Sequence, residues 1–404
     1  MSSVSNLTII IPTYNRPQLL RRLLHYYNKL NCLHKIIIAD SSFIPESKEN
    51  RKIIEYFRDK LDIYYKAYNS DINPYKKIYQ TLGDVHSKYV VLCAEKDFII
   101  PNGIKEAILY LEDNPDYSIA HGVYGYLGVQ NELWNSKYQR ITTKRESNCT
   151  INDNNALSRL KKHFQIYSPT FYSVYRTKVL LRIYMLLNEL LSSTKNPYGR
   201  MMELCSSGLS IINGKAKELD TLYQIRLFYT EPIFSSSRKH KLNSEINAND
   251  YPMIYKKIYN VFAEELIKFT DMDKEAARKG AKEALDIFMM LRLGQNREFN
   301  SQRNHNYNYY EGIIKKIDSI KRVLPVVMQS ILNGMQLIPM VKSPINTYRE
   351  ILYSIDLKDS FEKACNEHSN TLSINKLLDS NFSYHSDFMP IYEIVKRYPY
   401  GIDH

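Results

Sequence analysis

Tryptophan is almost missing from this chain, with one residue in 404, and its cysteines form no recognisable pattern. The five cysteines (Cys32, Cys93, Cys149, Cys205 and Cys365) are odd in number, lie far apart and include no Cys-x-x-Cys pair. That argues against a zinc ribbon and a disulfide scaffold, and it fits a reducing compartment. The N-terminus lacks a basic segment followed by an apolar core, so no signal peptide is expected and the expected location is the cytoplasm. No repeat of fixed period is visible. A continuous membrane span is missing too. The stretch from Val323 to Val341 is about long enough, but it is interrupted by Pro325, Gln329, Ser330, Asn333, Gln336 and Pro339. Lys315, Lys316, Lys321, Arg322 and Lys342 flank it. Two readings of 315–342 stay open: a helix buried against the rest of the chain or a second subunit, and a peripheral contact with the inner face of the cell membrane.

The chain does carry an excess of positive charge, 55 Lys and Arg against 43 Asp and Glu, for a formal charge of +12. Such a surplus favours a polyanionic neighbour such as nucleic acid, anionic lipid or a phosphorylated substrate, without choosing among them. The 34 tyrosines fit either an AT-rich coding genome or extra aromatic surface for stacking on bases or sugars. A hydrophobic fraction of 44% and a charged fraction of 24% are those of an ordinary soluble protein, long enough for an α/β domain plus a second module.

Short apolar runs alternate with helical periodicity through the first 130 residues. The runs are Leu7–Ile11, Lys35–Ala39, Ile63–Ala67 and Tyr89–Cys93, with a fifth, bent or edge run at Tyr117–Leu127. Between the first two, Leu19, Leu20, Leu23, Leu24, Tyr27 and Leu30 recur at helical spacing behind Pro17, which suits a first helical turn. This alternation predicts a buried parallel sheet with helical crossovers. Residues 130–160 read as an exposed loop. A strand at Phe171–Tyr175, helices over Thr177–Leu191 and Met201–Ile212, and a strand at Leu222–Leu227 follow. Beyond about residue 243 the pattern becomes helical, with amphipathic segments at 251–270, 273–294, 310–336 and 345–356. The division expected is 1–242 for an α/β domain and 243–404 for a helical one.

In open α/β sheets ligands bind at the carboxyl ends of the strands, and three of the strand ends carry chemistry. The first run ends in Pro12-Thr13-Tyr14-Asn15-Arg16-Pro17. The second ends in Asp40-Ser41-Ser42, a carboxylate and two hydroxyls placed either to meet a base or ribose or to cap the turn. The fourth ends in Glu95-Lys96-Asp97 before Phe98-Ile99. Two carboxylates two residues apart repel each other unless a positive group intervenes, either a cation bound to phosphate or the local Lys96.

Taken in this order, the three motifs resemble the family 2 nucleotide-sugar glycosyltransferases of the GT-A fold, over about residues 5–240, and look closest to a bacterial polysaccharide or glycoconjugate subgroup. The resemblance implies a GT-A (Rossmann-like) α/β fold, with a mixed, mainly parallel sheet flanked by helices and a helical C-terminal module. It also implies transfer of a sugar from a nucleotide-sugar to a hydroxyl of a glycan or lipid-linked glycan acceptor. Carried over, Pro12, Thr13, Tyr14 and Arg16 border the nucleotide, with Tyr14 against the base and Arg16 near the diphosphate. Asp40, with Ser41, meets the base or ribose, and Asn69 and Lys76 line the same pocket. Glu95 and Asp97 are the acids that touch ribose and a divalent cation, Mn2+ or Mg2+. Glu203 matches the catalytic base, with Asp220 in reserve. In the basic cluster that follows, Arg238 is placed to meet the leaving phosphate and His240 to complete a metal shell.

Two positions depart from the pattern. The first acid is Glu rather than Asp, and Lys96 stands between the acids, which lowers the negative charge of the site and weakens divalent-metal binding. Lys96 could instead meet phosphate directly, and a donor with one phosphate, such as a CMP-linked acidic sugar, needs the cation less. Two other classes stay open. One is a catalytically silent sugar-nucleotide-binding or scaffold protein of a membrane glycan-assembly complex. The other is a nucleic-acid-binding protein, suggested by charge and tyrosine content, although no such module is visible and the basic residues form no stripe. The helical module could supply a homodimer face.

Overall fold

The structure, a computed structural model, describes residues 6–129, 149–192, 199–229, 251–295, 374–399 and 401–402. The first half alternates as the sequence predicts: β1 (Leu7–Thr13), α1 (Pro17–Lys29), β2 (Lys35–Asp40), α2 (Ile44–Phe57), β3 (Ile63–Ala67), α3 (Pro74–Leu82) and β4 (Tyr89–Leu92). Next come β5 (Phe98–Ile99), α4 (Pro101–Asp113), β6 (Tyr117–Val129), α5 (Ala156–Gln165), β7 (Val174–Arg176), α6 (Thr177–Ser192), α7 (Gly199–Ile212) and β8 (Lys215–Tyr229). The eight strands form one sheet in the order β3-β2-β1-β4-β7-β6-β8-β5. β1, β2, β3 and β4 pair in parallel, β6 pairs with β8 in parallel, and β7 and β5 join antiparallel. The expected α/β architecture, mixed and mainly parallel with helices on both faces, is the one that forms.

Successive side chains of a strand point to opposite faces, so apolar runs without alternation must be covered twice. Ile10, Ile37, Val90 and Leu92 lie in a core beneath α3, α5, α6 and α7. Ile9, Ile11, Ile36, Ile38 and Val91 lie in a second core beneath α1, α2 and α4, where Leu19, Leu20, Leu23, Leu24 and Tyr27 are fully buried. Part of the stretch expected as loop is helix instead. α5 begins at Ala156 with the Asn155 side chain accepting from the Ser158 N–H. Its Arg159 then donates to the carbonyls of Ile211 and Ile212, capping the end of α7.

Of the helical region expected from residue 243 onward, four helices are described: α8 (Tyr251–Ile267), α9 (Lys274–Gln295), α10 (Ile374–Leu378) and α11 (His385–Arg397). α8 and α9 extend the first core, placing Ile254, Ile258, Phe262, Leu285 and Phe288 against α5 and α7. α10 and α11 extend the second, where Leu377, Phe388, Ile391 and Val395 are buried beside α1. Neither α10 nor α11 is evident in the sequence pattern. The helices expected at 310–336 and 345–356, and the 315–342 contact, lie outside the described residues. Among the described residues no helix is long and apolar enough to cross a membrane.

α8 docks where α7 has no side chain. A Cβ on Gly208 would fall 2.6 Å from Cζ of the buried Phe262, so this helix crossing requires glycine. Gly208→Val is expected to cost about 1–3 kcal/mol through overpacking, read as a lower urea midpoint. Gly83→Ala, whose Cβ would meet nothing nearer than 3.4 Å, should leave the midpoint unchanged or raise it.

Candidate functional site

The register of the parallel strands sets Thr13 beside Asp40 and Asp40 beside Ala67, with Ile10 beside Leu92. The three chemical motifs therefore leave the sheet on one edge. Asn15 turns the chain after β1 with a positive φ of 55°, a conformation that asparagine tolerates better than most residues. From there its N–H donates to Oγ of Ser42 at 2.8 Å, and its Oδ1 accepts from the N–H of Phe43 at 2.9 Å. These two bonds tie the loops after β1 and β2 together. They leave Tyr14 and Phe43 side by side, with ring centroids 5.9 Å apart at 54° and the residues 41% and 52% exposed. Two exposed rings on the ligand edge of a parallel sheet offer a flat aromatic partner a place to stack.

Behind these rings the groups are buried. Asp40 accepts from the N–H of Ser42 at 2.8 Å, from Nδ2 of Asn50 at 3.0 Å and from the hydroxyl of Tyr65 at 2.8 Å. The first is the turn bond that sequence reasoning weighed against ligand contact. Lys77 of α3 reaches the same edge, where its Nζ donates to the Thr13 carbonyl at 3.0 Å and to Oγ of Ser41 at 2.8 Å. Burial pulls its pKa from 10.5 down to about 8, against the opposing pull of Glu95 and Asp40. An ammonium has three protons to donate. Pro12 is half-buried, Lys76 and Asn69 are exposed, and the lysine buried at the strand ends is Lys77.

The Glu95-Lys96-Asp97 turn separates its two acids. Glu95 is buried and faces Arg16 across 3.5 Å. Desolvation raises its pKa, opposed by Arg16 and Lys77. Asp97 is fully buried, taking the Tyr172 hydroxyl at 2.5 Å on one oxygen and the Leu227 N–H at 3.0 Å on the other. Lys96 points its Nζ to the Leu227 carbonyl at 3.4 Å, toward β8.

A loop from the end of α5 to β7 joins this turn to α7. Tyr172 holds Asp97, and Tyr167 on the same loop donates to Glu203 at 3.1 Å. Glu203 sits in the first turns of α7 with Arg200 against both its oxygens, at 3.0 and 3.1 Å. That is the ion pair an ordinary surface glutamate would make. The start of α7 is tied to α3 through the Tyr75 hydroxyl, which donates to the Gly199 carbonyl at 2.9 Å. Asp220, the reserve base, is exposed and accepts from Tyr384 near the start of α11. Arg238 and His240 lie outside the described residues.

A divalent cation prefers several oxygen ligands. Here the acids already meet the Arg16 guanidinium, the Tyr172 proton and the Leu227 N–H. Among the described residues no group of three His, Cys, Asp or Glu side chains is placed to hold a metal. In this arrangement the carboxylates of Glu95 and Asp97 are engaged by protein groups, and His240, the third ligand expected, lies outside the described residues.

Sequence reasoning missed Phe43, Tyr65, Lys77 and Tyr172. Lys77 left one usable signal. It lies at the helical spacing of Ile78, Thr81 and Leu82, the buried face of α3, where a lysine is out of place unless it reaches something.

No protein-family model matches the sequence, and no curated protein matches it. Among solved structures, Staphylococcus aureus TarS 1–349 in complex with UDP-GlcNAc aligns at 15% identity with a TM-score of 0.48, covering 97% of this chain and 91% of that one. TarS 1–349 in complex with UDP aligns at 16% identity with a TM-score of 0.45, covering 97% and 88%.

Replacing Asp97 tests the burial of its charge. Asp97→Ala leaves the Leu227 N–H and the Tyr172 hydroxyl without an acceptor and is expected to cost about 2–4 kcal/mol. Asp97→Asn, whose amide can still accept from Leu227 while Tyr172 turns to accept, should retain most of the stability in the same denaturation experiment.

Proposed function

We propose that the chain transfers a sugar from a nucleotide-sugar donor to a hydroxyl of a glycan or glycoconjugate acceptor. The observation that carries this is the meeting, on one sheet edge, of the exposed Tyr14–Phe43 pair with two cations, Arg16 and Lys77. A nucleoside diphosphate offers the matching parts: a flat base for the rings and oxyanions for the cations. Asp40, already holding three donors, acts in this reading as the brace that sets the loop after β2, with its backbone and Ser41 facing the ribose.

In the transfer, the bond from the anomeric carbon to the phosphate oxygen breaks and the nucleotide leaves with the electron pair. The acceptor oxygen forms the new bond and gives up its proton to a base. Arg16 and Lys77 meet the charge that develops on the leaving phosphate, the task a cation would otherwise serve. Glu203 is our assignment for the base, supported by its place beside the Tyr167–Tyr172 loop that also holds Asp97. For it to act, Arg200 must turn aside when the acceptor binds. A binder without turnover is the second reading, favoured by that ion pair. Donor hydrolysis or transfer that is lost in Glu203→Gln while nucleotide affinity stays the same would decide for the enzyme.

Isothermal titration of UDP, GDP, CMP and dTDP, each with and without manganese, tests the reading. One nucleotide should bind, with affinity changing less than about twofold on adding manganese, since the charge is met by side chains. A strict need for manganese would overturn the assignment to Arg16 and Lys77. Tyr14→Ala should weaken binding by about tenfold or more, as loss of an aromatic–base contact does.

Lys77 sets a pH dependence. Its pKa is about 8 folded against 10.5 unfolded, so the unfolded chain binds the extra proton between those values. Its burial therefore costs stability below pH 8, and the cost is relieved as pH rises toward 10.5. Nucleotide affinity moves the other way, falling above pH 8 as the ammonium is lost. In Lys77→Met the affinity should be low and flat across that range.

A further inference from the structure

Arg22 lies in α1 with its guanidinium fully buried. Its Nη1 donates to the carbonyls of Tyr398 at 3.1 Å and Pro399 at 2.6 Å, and its Nη2 to the carbonyl of Lys96 at 3.3 Å. Its Cζ stands 5.4 Å from the centre of the Phe98 ring, just past the acidic turn. One side chain thus grips the turn that carries Glu95 and Asp97 and a segment roughly 300 residues away in sequence, at the separation where contacts form last.

A second, independent contact brings the same segment to the site. Gly401 has a φ of +105°, and a Cβ there would fall 2.6 Å from the carbonyl carbon of Gln18. The N–H of Ile402 donates to the Gln18 oxygen at 3.1 Å. Gln18 is the second residue of α1, two past Arg16. The tail therefore touches both the helix start that presents Arg16 and, through Arg22, the turn that presents Glu95. α11 anchors it from the other side through the Lys29–Glu393 ion pair and the Asn102–Asp387 hydrogen bond.

We infer that Tyr398, Pro399, Gly401 and Ile402 are a working part of the site, with Arg22 as the positioning residue that couples them to the acidic turn. Docking of the tail and the set of the Glu95–Asp97 turn are one equilibrium. When the tail leaves, Arg22 loses two of its three acceptors and is no longer fixed in place, its grip on the Lys96 carbonyl slackens, the turn loosens, and Glu95 no longer stands against Arg16. By linkage, a ligand held at the turn favours the docked tail by the same factor. The part concerning a ligand rests on the nucleotide reading above. The coupling of tail to turn does not.

The chain contains its own reporter. Cys93 is fully buried directly under the turn, its Sγ 3.6 Å from the carbonyls of Ala94 and Asp97. Cys205, equally buried in α7 in the core on the other face of the sheet, serves as the reference. The experiment uses the full chain and compares wild type with Gly401→Val and Arg22→Lys. It follows N-ethylmaleimide labelling of each cysteine by peptide mass spectrometry, and UDP affinity by titration. Gly401→Val, which changes no residue of the turn, should speed labelling of Cys93 by about tenfold while Cys205 keeps its wild-type rate. UDP affinity should fall in parallel. Equal acceleration of both cysteines, or no change at Cys93, would overturn the coupling. An opened Cys93 with unchanged UDP affinity would overturn the tail's part in the site. If wild type binds no UDP, the affinity arm uses whichever of GDP, CMP or dTDP binds; if none binds, the nucleotide reading fails and the labelling rates still decide the coupling.

Discussion

The buried ammonium of Lys77 is the interaction on which the edge of this sheet depends. Parallel strands end in carbonyls and turns that point outward, and β1 and β2 end in a backbone oxygen and a hydroxyl that a single Nζ joins. Burying that charge is costly, as its lowered pKa shows, and the nearby carboxylates of Glu95 and Asp40 offset only part of the cost. Proteins tolerate such a penalty where a buried group has chemistry to perform. The ties among Asn15, Ser42 and Phe43 continue the same logic outward, fixing two flexible loops so that their aromatic rings share one face.

The acidic turn divides its charges between two tasks. Asp97 is turned inward and bound by groups from two distant elements, so it acts as a pin between the turn, the loop before β7 and β8. Glu95 stays at the site and keeps Arg16 in place. The spacing of two acids around a lysine looks in sequence like a cation site. In space the lysine points away to β8, and the cationic side chains facing Glu95 come from the residue before α1 and from α3.

Much of this was legible in the chain. The apolar runs at Leu7, Lys35 and Tyr89 are strands covered on both faces, and such runs signal their burial directly, while the run at Ile63 forms the edge strand β3 and is only partly covered. The strand ends carrying Tyr14, Asp40 and Glu95 were legible for the same reason, since a turn after a buried run is easily located. What sequence could not give was phase and distance. Lys76 and Lys77 are adjacent and alike, and only the orientation of α3 decides which one enters the site. Phe43 drew no notice in the sequence; it precedes the first residue of α2, and its partnership with Tyr14 depends on two loop hydrogen bonds. α10 escaped because it is only five residues long, and α11 because Pro390 lies inside it, where a proline ordinarily breaks a helix. Their burial comes from a surface on α1 that is built far away in the chain.

Arg22 has a consequence for how the molecule is made. During synthesis, the strands that carry Tyr14, Asp40 and Glu95 leave the ribosome and can pair early, because domains form from the N-terminal side as they emerge. The carbonyls of Tyr398 and Pro399 do not exist for Arg22 to grip until 376 and 377 residues after Arg22 itself. Over that interval the guanidinium must remain hydrated or hold substitute partners, and the acidic turn is fastened from one side only. A nascent chain can therefore own a complete sheet before the partners that fasten Arg22, and with it the acidic turn, have been made.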